Sequence, residues 1–337
     1  MQTDQIAPVA DTGTSVSKLF SPGPVAANYN LALSYSHRSD EFKFLYSEVS
    51  ARLLQISGYR SVVMTQGSAS SAIETVLSSV LKRDSRILIL VNGEFGKRAA
   101  RMASYCTRLV TRVGDFDSLI ASLRATKYDF CFVVQFETSL SIFNRLGEVS
   151  ELCKENGVHL IVDAVSAFPY YETPNAKFVI STSSKQLKGL PALGLIFFND
   201  VSDLDLVERS DYLNLKKVIE YSRKGQTQHT ALIPQIDSLN KSLSDLVVDD
   251  LRRSITRNAQ ILVEGLEEKT INERVCPVVT FDARDPERVV RSLRARGISL
   301  YHNPFYAKQY IQVGCFNYDA GEEYGELNHL LRKSSGF

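Results

Sequence analysis

Residues 71–91 read SAIETVLSSVLKRDSRILILV, and the period of the apolar residues changes part-way along. In the first half Ile73, Val76, Leu77, Val80 and Leu81 recur at helical spacing, which predicts a helix over Ser71–Lys82 with one buried face. The second half, Arg86–Val91, is an unbroken apolar run rich in β-branched residues, as expected of a strand covered on both faces. The same alternation continues outward. A helix is expected over Glu94–Tyr105 and another over Glu148–Glu155, closed by Asn156-Gly157. Strands are expected at Arg108–Val113, Phe130–Val134, Val158–Val162, Phe178–Ser181 and Leu193–Phe198. Strands and helices of these lengths in alternation predict an α/β fold with a mostly parallel, doubly wound sheet. Ligands of such sheets bind beyond the carboxyl ends of the strands. Attention therefore falls on Asn92-Gly93, Glu137-Thr138, Asp163 and Ser183–Lys185.

Beyond residue 230 the texture changes. A long helical stretch over Lys241–Lys269 precedes strand candidates Pro277–Phe281, Ile298–Tyr301 and Tyr310–Val313, with helices Pro286–Arg296 and Glu322–Lys333 between and after them. This reads as a smaller α+β lobe. We expect residues 1–240 to form the large domain with the N-terminal segment, and residues 241–337 the small C-terminal domain; a chain of 337 residues is long enough for two cores. Lys+Arg 39 against Asp+Glu 38 leaves a net charge of +1, which gives no electrostatic case for a nucleic acid or an anionic membrane as partner. The five cysteines are scattered, with no CxxC pair, and suit reduced thiols in a cytoplasmic protein. The opening MQTDQIAPVADTGTS lacks the basic start and apolar run of a signal peptide. No apolar run approaches the roughly 20 residues of a membrane span. No His, Cys and carboxylate cluster has metal-ligand spacing, so no metal site is expected.

Three segments carry chemistry. Residues 181–194, STSSKQLKGLPALG, join two strand candidates. A lysine there can form an imine if burial keeps it partly deprotonated; a solvated surface loop is the plain alternative, and Lys188 rivals Lys185. In residues 160–166, LIVDAVS, Asp163 directly follows a buried strand. It suits either a helix cap or a carboxylate that meets a ligand. Residues 65–74, TQGSASSAIE, open a helix with small residues and hydroxyls. That is a phosphate site by its free N–H groups and helix dipole, or an ordinary cap. It is neither a Walker loop nor a dinucleotide fingerprint.

In order and spacing these segments resemble the class V pyridoxal-phosphate enzymes of the aspartate aminotransferase fold (fold type I), especially alanine–glyoxylate and 2-aminoethylphosphonate–pyruvate aminotransferases. The likeness runs from Ser21-Pro-Gly-Pro-Val25 to Val313-Gly314. It takes in His37-Arg38-Ser-Asp-Glu-Phe42, Gln66-Gly67-Ser68, Asn92-Gly93-Glu-Phe95-Gly96-Lys-Arg98, Glu137-Thr138-Ser139, Val162-Asp163-Ala164 and Lys185 four residues before Gly189. The resemblance implies pyridoxal 5'-phosphate (PLP) as cofactor and a transaminase exchanging an amino group between a small primary amine or amino acid and an oxo acid. It makes Lys185 the Schiff-base lysine and Asp163 the partner of the pyridine nitrogen, the two catalytic residues. Phe95 would stack on the ring; Ser68, Ala69 and Ser70 would lie at the phosphate, and Thr138 near the phenolic oxygen. Thr227-Gln228-His229-Thr230 resembles the loop that reaches the neighbouring subunit's phosphate, so Gln228 and Thr230 are cofactor candidates and a homodimer with shared sites is implied.

One departure bears on the substrate. The family's C-terminal strand carries an arginine that grips the substrate carboxylate, and here Gln312 takes its place within Tyr310–Cys315. A neutral amide cannot act as a two-donor cationic clamp, an interaction worth roughly 1.5–3 kcal/mol per charged hydrogen bond. Three readings stay open. The substrate lacks an α-carboxylate at that place, as an amine, aminophosphonate, amino sugar or carrier-linked intermediate would, which fits a specialised biosynthetic role. Alternatively Arg38 or Lys308 supplies the charge, or Gln312 simply hydrogen-bonds an ordinary amino acid. The competing chemistry is a PLP lyase, elimination or desulfurase-like; against desulfuration, the stacking place holds Phe95 and Cys315 lies in a strand.

Overall fold

The structure, a computed structural model, describes residues 18–20, 36–272, 275–300, 310–317, 320–334 and 337. The chain runs β1 (Lys18–Leu19), α1 (Asp40–Ser57), β2 (Ser61–Gln66), α2 (Ala69–Val80), β3 (Arg86–Leu90), α3 (Glu94–Cys106), β4 (Leu109–Val113) and α4 (Phe116–Ala125). There follow β5 (Phe130–Val134), β6 (Phe136–Glu137), β7 (Ile142–Phe143), α5 (Leu146–Glu155), β8 (His159–Asp163), β9 (Phe178–Thr182) and β10 (Leu193–Phe198). The remainder is α6 (Leu215–Ser222), α7 (Ile233–Ser244), α8 (Val248–Val263), β11 (Val278–Asp282), α9 (Pro286–Arg294), β12 (Ile298–Ser299), β13 (Tyr310–Gly314) and α10 (Gly321–Arg332).

Seven strands form the central sheet in the order β2-β10-β9-β8-β5-β3-β4. From β4 to β9 all pairings are parallel, whereas β10 runs antiparallel to both β9 and β2. Because β10 is reversed against both neighbours, β2 again points the same way as β9. The carboxyl ends of β2, β8 and β9 therefore lie along one edge. The alternation along β3 shows why its run is unbroken: Ile87 and Ile89 join the core under α2 and α3, while Leu88 and Leu90 join the core on the other face.

The helix expected over Lys241–Lys269 is two helices. α7 begins earlier, with Pro234 in its first turn, and stops at Ser244. The Ser244 hydroxyl donates to the Lys241 carbonyl (2.7 Å) and bonds Asp245 Oδ1 (3.2 Å), so short polar side chains compete with the helix backbone there. In the C-terminal region β11 and β13 pair antiparallel, with Thr280 opposite Gln312. β1 pairs parallel with β12. The Phe20 carbonyl accepts from Gly314 N (2.8 Å), and the Phe20 ring meets Tyr324 edge-on at 5.1 Å. Residues 18–20 thus lie with the C-terminal elements and not with the central sheet. No described helix is long and apolar enough to cross a membrane.

Candidate active site

A cavity of about 230 Å³ opens at the carboxyl ends of the strands. Its floor and walls come from β5, β8 and β9, from the start of α2, and from one face of α3.

Lys185 enters it from a one-turn 3₁₀ helix, Lys185–Leu187. Its φ of +76° lies in the left-handed region, uncommon for a residue with a Cβ, and Lys188 follows at +53°. Gln186 pins this loop: fully buried, it donates to the Ser166 carbonyl (2.9 Å) and accepts from Tyr170 N (2.9 Å). Gly189 packs tightly, since a Cβ there would sit 3.0 Å from the Ser183 carbonyl oxygen and 3.2 Å from Leu239 Cα, so its neighbours would have to give way by a few tenths of an ångström. Lys185 Nζ donates to Ser166 Oγ (3.2 Å). Burial pushes its pKa down to about 8, against the attraction of Asp163 and with the repulsion of Arg98 added. Lys188 does not line the cavity.

Asp163 ends β8 and is buried, its Oδ1 accepting from Val165 N at 3.0 Å. Burial raises its pKa, opposed by the Val165 N–H, Arg98 and Lys185. At the other side Ser68 caps α2, its hydroxyl accepting from Ser70 N (3.3 Å), after Gly67 turns the chain at φ +100°. Ser68, Ala69 and Ser70 line the cavity there, where a helix start is a ready anion site.

The face of α3 is set from a distance. Gly93, its N-cap, offers no side chain. The buried Glu137 carboxylate takes over, accepting from Phe95 N (3.0 Å) and Gly96 N (3.1 Å) with one oxygen. Its other oxygen accepts from Ser139 N (3.2 Å) and Ser139 Oγ (2.5 Å). Phe95 and Arg98, one turn apart, face the cavity, and the Arg98 guanidinium lies 4.8 Å from the Phe95 ring centroid.

These residues fit PLP: a lysine held near neutrality, a buried acid, an aromatic face and a helix N-terminus around one space of the cofactor's size. Five of the expected site positions lie elsewhere among the described residues. Thr138 is buried outside the cavity lining. Gln312, also buried, donates through Nε2 to the Thr138 carbonyl and to Thr280 Oγ1 (3.1 Å), so both its hydrogens are engaged within the protein. Arg38 is exposed, bonds Gln226 Oε1 (2.5 Å) and lies over the Tyr221 ring at 4.8 Å. Gln228 donates to the Asp211 carbonyl, and next to it the Thr230 carbonyl accepts from Gln66. Lys308 falls outside the described residues. Arg98, Ser166 and Ser184 line the cavity without having been singled out for it. The signal for Arg98 was its i+3 spacing from Phe95 on an expected helix, and for Ser166 its place three residues after Asp163.

The Aminotransferase class-V family model matches residues 26–300. The chain belongs to the class-V aminotransferase family. The aminotransferase is accordingly a PLP-dependent enzyme that transfers an amino group between an amine and an oxo acid. Among curated relatives, 2-aminoethylphosphonate–pyruvate transaminase of Pseudomonas aeruginosa (strain UCBPP-PA14) is 27% identical, covering 90% of this chain and 92% of that protein. The Rhizobium meliloti (strain 1021) protein of the same name is 25% identical, covering 88% of each. Solved structures show that the aminotransferase has the fold-type-I architecture. Ureidoglycine–glyoxylate aminotransferase from Bacillus subtilis superposes with a TM-score of 0.85 at 20% identity, covering 94% of this chain and 93% of that one. Alanine–glyoxylate aminotransferase from Nostoc sp. gives 0.84 at 20% identity, over 98% and 97%.

Proposed function

We propose that Lys185 holds PLP covalently and carries the proton of the transfer, with Asp163 against the ring nitrogen. The observation behind this is that the lysine with a depressed pKa and the buried acid share one cavity with Phe95 and the start of α2. When bound, PLP supplies an electron sink for the carbanion formed at the amine-bearing carbon. With a pKa of about 8, Lys185 is partly uncharged at neutral pH and can take and return a proton at Nζ. The Ser166 hydroxyl, 3.2 Å away, orients that nitrogen. Phe95 covers one side of the cavity and excludes water from it. Ser68, Ala69 and Ser70 receive the phosphate through the first N–H groups of α2.

Gln228 and Thr230 belong to a homodimer in this reading, reaching the phosphate of the other subunit. The support for this is the resemblance of Thr227–Thr230 to that loop; within the protomer Gln228 donates to the Asp211 carbonyl and His229 stacks on Tyr212. All five cysteines are buried free thiols, which accords with the reducing cytoplasm.

The donor in this reading has no carboxylate on its amine-bearing carbon. Gln312 brings no charge, its hydrogens are engaged, and Arg38 is occupied outside the cavity. The aminophosphonate named for the curated relatives is a compound of that class. The test is a panel of amines and amino acids added to the PLP-loaded enzyme with an oxo acid. Stoichiometric conversion of the oxo acid to its amino acid, with an acid-bearing amine preferred to α-amino acids, is expected. Preference for an ordinary α-amino acid overturns the donor class; ammonia released without an acceptor would point to a lyase.

A further inference from the structure

We propose that Arg98 is a positioning residue that keeps Asp163 ionised toward the cofactor's ring nitrogen whatever the charge on Lys185. The inference rests on the reading that Asp163 faces that nitrogen.

Asp163 needs such a partner. It is buried, and the one hydrogen bond to its carboxylate among the described residues comes from the neutral Val165 N–H. Phe136, Val134 and Val165 line the cavity beside it, and a carboxylate among apolar groups tends to take up a proton. A neutral acid cannot stabilise a protonated pyridine. Two cations act on it, Lys185 and Arg98. Lys185 must lose its charge to act as nucleophile and base, so its help is withdrawn when the chemistry begins. A guanidinium does not deprotonate in a protein. Of the two, Arg98 is the charge that persists.

The geometry leaves Arg98 available for this. It lines the same cavity, and among the described residues it has no hydrogen bond or ion pair. The acid that interacts electrostatically with Asp163, Glu137, does not line the cavity, and its oxygens already accept from Phe95, Gly96 and Ser139. Those same bonds fix the start of α3, and the guanidinium stacks on Phe95 one turn further on. Arg98 is thus held at the ring side of the cavity by a helix that is itself clamped.

The test compares PLP with its carbocyclic analogue, in which CH replaces the ring nitrogen, by equilibrium titration of the apo-protein. The wild type should prefer PLP. Arg98→Gln should shrink that preference by about tenfold while leaving affinity for the analogue unchanged. Arg98→Lys, which keeps a cation, should retain the preference and serves if Arg98→Gln does not fold. In an Asp163→Asn background, Arg98→Gln should change nothing further. Equal losses for both ligands would assign Arg98 to the phosphate or to the fold and overturn the inference, as would an unchanged preference in Arg98→Gln or its loss in Arg98→Lys. If Asp163→Asn itself keeps the preference, the reading of Asp163 has failed. If it abolishes the preference and Arg98→Gln does not reduce it, the role of Arg98 alone has failed.

Discussion

Lys185 combines two unfavourable conditions, a left-handed backbone and a partly desolvated ammonium. Lys188 shares the first without reaching the cavity. Lys185→Ala should therefore lower turnover by about 10²–10⁴-fold, the usual contribution of a positioned base, whereas Lys188→Ala should retain most of it. Loss in the second variant equal to the first would reverse the assignment. The pH dependence has a definite sign. Burial lowers the pKa of this cation to about 8, so the reactive neutral form grows as pH rises. The rate at which the apo-protein combines with PLP should climb about tenfold per pH unit below 8 and level off above it, followed by stopped-flow absorbance. A profile flat from pH 6 to 9 is incompatible with a lysine titrating there.

At the scale of elements, α3 shows how the chain places a functional face with a side chain 42 positions from the backbone it caps. Gly93 has an extended φ of 179°, so space and not conformation requires glycine there. A Cβ would lie 2.2 Å from Glu137 Cγ. Gly93→Ala should push Glu137 off its donors and tilt Phe95 and Arg98. We expect a stability loss of about 1–3 kcal/mol by denaturant titration, with weakened PLP binding. Unaltered stability would show that the cap has slack. The same element marks the limit of sequence reading. The apolar period predicted α3, β3, β5 and β10 because each buries a patterned face, and Asp163 and Lys185 stand out at strand ends. The cap by Glu137 has no local signature, since it joins two loops through the fold. The break between α7 and α8 was hidden because Leu239, Leu243 and Leu251 continue a helical pattern across a turn made by Ser244 and Asp245. Gln312 read from its aligned place as a substrate ligand; only the three-dimensional neighbourhood reveals where its hydrogens go.

Across the whole molecule, Gln312 and Thr280 connect the C-terminal strand pair to the loop after β6, through the Thr138 carbonyl and the Ser141 hydroxyl. Gln312→Ala leaves the buried Thr138 carbonyl without this donor and should destabilise the protein by about 1–3 kcal/mol. The KM values for amine and oxo acid should change by less than the roughly tenfold that loss of a charged clamp brings. A larger rise would show that the amide reaches the substrate.

The pairing of β1 with β12, and of Phe20 with Gly314 and Tyr324, has a consequence in time. During synthesis the seven-stranded sheet has all its strands once residue 198 has emerged. Residues 18–20 must wait for a partner made about a hundred residues later. The sheet and its cavity lining can therefore collapse first, and the beginning of the chain is tied down only when the end arrives. On the ribosome, Lys185 is in place before the N-terminal strand has anything to pair with.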